Sequence, residues 1–263
     1  MDSLKFTREI LESPPLRKWD VATALVHFAI ITYHVDADVV RRLLHPRFEP
    51  DCVEINGQRR ALLSVVPFID QDFHFACMPW LRWRFAQTNY RIYVRDKVTG
   101  EHAVWFLGTS LDSWTVAIPR HRWNMPWHRA RISFDCEHDD DARRYTRYRM
   151  QTTRSWADAE MELADTGVPP TALPGFADLE TAMVVLTHPM RGYYHRRDGR
   201  LGSYSIWHDR LTPTVGSVVS ARFALLEQMG LVDSGDASSV HSVFLQPRTD
   251  FTIALPPGIV DEA

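Results

Sequence analysis

The stretch Cys52-Val53-Glu54-Ile55-Asn56-Gly57-Gln58-Arg59-Arg60-Ala61-Leu62-Leu63-Ser64-Val65-Val66 decides the fold class. Two strand-like runs flank Asn56-Gly57, a pair that tolerates the positive φ of a type I′ turn, so the chain doubles back as a β-hairpin. Asp198-Gly199 repeats the device between Tyr193-Tyr194-His195 and Ser203-Tyr204-Ser205-Ile206-Trp207. A third hairpin joins residues 89–94 to 102–107 through Lys97-Val98-Thr99-Gly100. Further strands are predicted over residues 129–136, 145–152, 240–246 and 251–255. Helices are short and few. Residues 36–44 start at Asp36 as N-cap and stop before Pro46, residues 178–187 start in the same way, and residues 218–229 end at Gly230 as C-cap. The pattern predicts a mainly β, α+β fold with short helices on the margin of a β core.

Outward from these hairpins, the composition bounds the function. The chain has 263 residues with 30 basic and 33 acidic side chains, a net charge of −3. Such a balance argues against a general nucleic-acid binder, whose affinity needs a basic surface. Of the basic residues, 27 are arginine and only three are lysine: Lys5, Lys18 and Lys97. Cys52, Cys77 and Cys136 are widely spaced and form no C-x-x-C, which fits a reducing compartment. Met1-Asp2-Ser3-Leu4-Lys5 lacks the basic-then-apolar order of a secretory signal. The apolar run 21–32 is broken by Thr23 and His27 and is too short to span a bilayer. A soluble cytoplasmic protein is therefore expected. Residues 167–175, rich in Pro and Gly, form either a boundary or a surface loop; the expectation is one domain, 1–263, with a core of about 20–257.

No G-x-S-x-G, G-x-G-x-x-G, Walker loop or H-E-x-x-H is present. The twelve histidines show no metal-ligand spacing, so neither a metal nor a cofactor is expected. The strand Thr88-Asn89-Tyr90-Arg91-Ile92-Tyr93-Val94 carries more chemistry. Alternation puts Asn89, Arg91 and Tyr93 on one face and Tyr90, Ile92 and Val94 on the other. An amide, a guanidinium and a phenol together suit a polar cavity in which the arginine fork holds a carboxylate. The plainer reading is a solvated strand face. His208, ending one strand, and His241, opening another, are the acid/base candidates, because histidine titrates near neutral pH. The plainer reading there is a pair of loop anchors.

On these residues the sequence resembles the YqjF-like family, a bacterial domain of unknown function in the acetoacetate decarboxylase-like superfamily. Residues 61–68, ending Val65-Val66-Pro67-Phe68, resemble the family's strand closing in V-P-F. Asn89-Tyr90-Arg91-Ile92-Tyr93-Val94 resembles its N-V-R-T-Y-V strand. Val104-Trp105-Phe106-Leu107 followed by Ser110-Leu111-Asp112 resembles its G-V-W-F-F-S-L-D segment. Residues 221–227, and His241-Ser242 through Gln246-Pro247, resemble the C-terminal pattern of one branch. The resemblance implies an antiparallel β-barrel or cone with a few flanking helices, enclosing one small-molecule cavity.

The superfamily's decarboxylases use a Schiff-base lysine in the segment that here reads Phe106-Leu107-Gly108-Thr109-Ser110-Leu111-Asp112, which contains none. Gln87 stands near a position where family members often carry glutamate. The expectation is a barrel binding a small carboxylated or carbonyl metabolite through Asn89, Arg91 and Tyr93. Any activity would be a lysine-independent lyase or isomerase type, with His208 or His241 moving protons. The rival is a non-catalytic ligand-binding or protein-interaction module on the same fold. Neither nucleic acid nor membrane is an expected partner, and a homo-oligomer is left open.

Overall fold

The computed structural model describes residues 4–233 and 235–260. The first three residues, part of the segment read above for a secretory signal, lie outside the described residues. Fifteen strands form one continuous sheet among the described residues. They are β1 (Val21–Asp36), β2 (Phe48–Pro50), β3 (Cys52–Ile55), β4 (Gln58–Phe75), β5 (Trp83–Asp96), β6 (His102–Leu111), β7 (Trp127–Arg129) and β8 (Arg131–Asp139). There follow β9 (Arg144–Thr153), β10 (Ala159–Asp165), β11 (Arg191–His195), β12 (Leu201–His208), β13 (Thr214–Phe223), β14 (Val240–Ile253) and β15 (Gly258–Val260).

Seven of these strands close into a ring. The order β12-β11-β6-β5-β4-β1-β14 returns to its start because Ile206, Trp207 and His208 of β12 pair with Ile253, Thr252 and Phe251 of β14. Closure removes the exposed strand edges and leaves an interior to be filled. Every neighbour in the ring is antiparallel except β6 and β11, which run parallel. The reason is topological: between these two strands the chain leaves the barrel, builds β8, β9 and β10 of a wing that β13 later completes, and re-enters in the same direction. The wing is β13-β10-β9-β8, joined to the barrel through β13 and β14.

The barrel wall therefore has two apolar faces. Outward residues such as Ile31, Leu63, Val65, Tyr90 and Ile92 pack with Ile132, Tyr148, Met150 and Met161 of the wing. Inward residues such as Leu25, Phe28, Val66, Phe68 and Phe106 pack with Met183 and Leu186 of the Leu179–Thr187 helix. Such two-sided burial explains why β1 and β4 read as near-continuous apolar runs. The helix starts where Asp178 accepts a hydrogen bond from the Thr181 amide at 2.7 Å.

Most of the local signals are present in the structure. Asn56 and Gly57 have φ of 53° and 72°, as a type I′ turn requires. Gly199 has φ 84° in the β11–β12 turn. Three readings need correction. Residues 218–229 are not one helix: β13 runs to Phe223, and only Ala224–Gln228 is helical. Val218 and Val219 favour extended backbone, and β10 pairs with Val218 and Ser220 on either side of a bulge at Val219. The strands expected at 240–246 and 251–255 are one, β14, which passes through Pro247. There the opposing strand is irregular: His27 has φ 52°, and Val26 and Phe28 pair with Arg248 and Gln246 on either side. Residues 129–136 are divided between β7, which pairs with β6, and β8, which opens the wing. All three cysteines are unbridged, and no helix among the described residues is long and apolar enough to cross a membrane.

Candidate functional site

The alternation of β5 turns Phe85, Gln87, Asn89 and Arg91 into the barrel, where they line an interior cavity of about 170 Å³. All seven ring strands contribute to its wall, among them Leu25 of β1, Asp70 of β4, Phe106 of β6, Gly192 of β11, His208 of β12 and Phe251 of β14. Aromatic side chains dominate the outer part, with Phe73, Phe75, Trp83, Trp123 and Trp127 near the ends of the strands.

The polar end is built around Arg91. Its Nη2 donates to the Leu186 carbonyl at 3.2 Å and to the Tyr93 hydroxyl at 3.4 Å. Its guanidinium carbon lies 5.5 Å from the centre of the Tyr93 ring. Leu186 sits in the last turn of the Leu179–Thr187 helix, whose terminal carbonyls lack partners within the helix. The C-terminal dipole of that helix, about half an elementary charge, supports the cation without neutralising it. Nε is buried without a hydrogen-bond partner, and among the described residues no carboxylate pairs with Arg91. A buried guanidinium is normally paired, because its desolvation is costly.

Asn89 is held in one orientation. Its Oδ1 accepts from Gln87 Nε2 at 2.9 Å and from Thr109 Oγ1 at 2.8 Å, which leaves its Nδ2 donors for the cavity. Arg91 and Asn89 together thus present donors, and donors recognise an oxygen-rich acceptor.

Tyr93 lies beneath this pair rather than in the cavity wall. Its hydroxyl donates to the Leu186 carbonyl at 2.8 Å and receives the Ser64 hydroxyl at 2.8 Å. It therefore fixes Arg91 and the helix end against each other.

His208 lines the cavity, wedged between Phe251 at 4.3 Å and His188 at 4.5 Å, ring centre to ring centre. Its Nδ1 donates to the Asp209 carbonyl at 2.7 Å. Burial, and then the charge of His188, push its pKa down to about 3. A ring so reluctant to take a proton is a poor base near neutral pH. His241 is elsewhere: its Nε2 bonds the Pro174 carbonyl at 2.9 Å, its Nδ1 the Ser242 hydroxyl at 3.1 Å, and its ring meets Phe176 edge-on.

Asp70 is the cavity residue that the sequence reading passed over. It shares an inward face of β4 with Val66 and Phe68 and pairs with Leu25 on one side and Phe85 on the other. Burial among these apolar groups raises its pKa to about 7, while the Thr23 hydroxyl, donating at 3.0 Å, acts in the opposite direction. The signal was present as a carboxylate on the core face of an alternating strand. All three lysines, Lys5, Lys18 and Lys97, are exposed and outside this wall.

A family described as an uncharacterized conserved protein, DUF2071, matches residues 23–250. The chain belongs to the DUF2071 family. No curated protein sequence matches it. Among solved structures, this DUF2071 barrel resembles acetoacetate decarboxylase from Legionella pneumophila, with a TM-score of 0.57 and 14% identity over 99% of this chain and 98% of that one. It also resembles an acetoacetate decarboxylase-like enzyme from Sphingomonas wittichii RW1, at 0.56 and 9% identity over 94% of each chain. The enduracididine biosynthesis enzyme MppR complexed with pyruvate matches at 0.54 and 15% identity over 96% of this chain and 93% of that one. The DUF2071 chain thus has the acetoacetate decarboxylase-like fold, and at these identities the likeness extends to fold alone.

Proposed function

We propose that this protein is a cytoplasmic small-molecule protein whose barrel binds a carboxylated or carbonyl metabolite. The observation that carries the reading is a buried guanidinium, Arg91, facing the cavity with no carboxylate partner among the described residues. Arg91 holds the anionic group, Asn89 Nδ2 orients a neighbouring oxygen, and Tyr93 keeps the guanidinium in place. With the three lysines exposed elsewhere, the Schiff-base route of the decarboxylases has no nucleophile in this cavity. If protons move here, Asp70 is the group whose pKa suits the task, and His208 serves as wall.

A non-catalytic binding module is the second reading. The observation favouring it is that His208, the cavity histidine, is clamped and held neutral.

Thermal-shift screening with a panel of keto acids tests the proposal. A ligand at a hundredfold excess over its Kd adds about 2.7 kcal/mol, or about 5–10 °C for a chain of this size. The shift should vanish in Arg91→Ala, and a shift that survives the substitution rejects Arg91 as the anion clamp. Borohydride treatment with a keto acid should trap no covalent adduct, and a stable adduct would overturn the lysine argument.

A further inference from the structure

We infer that the ligand is an amphiphilic monocarboxylate, one carboxylate on an apolar body about the size of a benzene ring, rather than a short polar keto acid or a diacid. This deepens the reading above and rests on it.

The first observation is that the amide and guanidinium donors gather in one stripe. Along β5 the inward donors are Arg91, Asn89 and Gln87. Their cross-strand neighbours that line the cavity are apolar: Phe106 beside Arg91, Val66 beside Asn89, and Phe68 and Leu111 beside Gln87. The polar neighbours Ser64 and Thr109 lie outside the wall and bond Tyr93 and Asn89. A ligand whose head meets the stripe therefore has hydrocarbon on both flanks of that head, where further polar groups would go unsatisfied.

The second observation is shape. Phe106 and Tyr204 stack at 5.4 Å with their planes 24° apart. Phe106 lies so close over Gly192 that a Cβ there would fall 2.4 Å from its ring. The glycine thus lets the ring lie flat, and a flat aromatic wall one strand from the guanidinium suits a planar or slender apolar body. The cavity, at about 170 Å³, is comparable to an apolar cavity of about 150 Å³ that holds benzene.

The third observation is charge. The ionisable groups of the wall are Arg91, Asp70, His208 and Tyr204. Only Arg91 is cationic at neutral pH, since His208 stays neutral. A second carboxylate would find no second cation in the wall, so a diacid is disfavoured.

Calorimetric titration of the full chain with 3-phenylpropanoate, 3-phenylpropan-1-ol, propanoate and succinate tests this. The aromatic acid should bind at least about tenfold more tightly than propanoate, from the apolar area of the ring, and than the neutral alcohol, from the lost ion pair. In Arg91→Gln the acid and the alcohol should become equal. The ligand comparison in the unaltered protein decides the matter even if that variant does not fold. Propanoate binding as tightly as the aromatic acid, with the alcohol weak, overturns the apolar-body inference while the carboxylate site stands. Succinate binding most tightly overturns the monocarboxylate inference. Acid and alcohol binding equally well in the unaltered protein overturns both this inference and the carboxylate site beneath it.

Discussion

Replacing Asp70 with asparagine should remove a pH-dependent burden on stability. The carboxyl is buried between Leu25 and Phe85, and its pKa is raised from 3.8 to about 7. The native state then holds a proton that the unfolded chain has released between these values, so wild-type stability falls as pH rises through the window. At 1.36 kcal/mol per unit, the span from 3.8 to about 7 amounts to about 4 kcal/mol. The full penalty is present above pH 7 and absent below pH 4. Asparagine keeps an oxygen to accept from Thr23, now 3.0 Å from Asp70 Oδ1, and cannot ionise. Urea denaturation at pH 4.5, 6 and 8 should show Asp70→Asn gaining on the wild type by about 3–4 kcal/mol across the series. Taking the difference between the two proteins cancels His208, which titrates in both and works in the opposite direction. A difference constant with pH would refute the raised pKa. A wild type that gains on the variant as pH rises would mean a stabilised carboxylate and would reverse the assignment.

Other substitutions probe the same cavity. Gly192→Ala places a methyl 2.4 Å from the Phe106 ring and should cost about 1–3 kcal/mol by urea denaturation, with reduced binding of any aromatic acid. Tyr93→Phe removes the hydroxyl that donates to Leu186 and steadies Arg91. A loss of about 1–2 kcal/mol is expected, with a higher Kd for carboxylates and little change for neutral ligands, both measurable by calorimetry.

The hairpins were legible because their turns are local: Asn56-Gly57 announces its φ values by its own chemistry. The polar face of residues 89–93 was legible for the same reason, since alternation is a property of one strand. What escaped depends on partners far along the chain. Residues 218–223 are strand because β10 lies beside them, and β14 continues through Pro247 because β1 is irregular opposite it. Barrel closure between β12 and β14 is likewise a non-local pairing, expected from the family resemblance and not from the local pattern. His208 and His241 look alike in sequence, an imidazole at a strand end. One faces the cavity and the other bonds the Pro174 carbonyl, and only the closed ring separates them. Asp70 stands beside Gln71 and Asp72, and only the barrel separates its buried carboxyl from their half-buried side chains.

A crystal structure with a bound carboxylate tests the central claim most directly. With 3-phenylpropanoate or a keto acid that binds in solution, the carboxylate should lie inside the barrel, its oxygens about 2.7–2.9 Å from the Arg91 guanidinium and within reach of Asn89 Nδ2. A ligand that binds with its carboxylate at the aromatic mouth or on the wing, leaving Arg91 without an anionic partner, would contradict it.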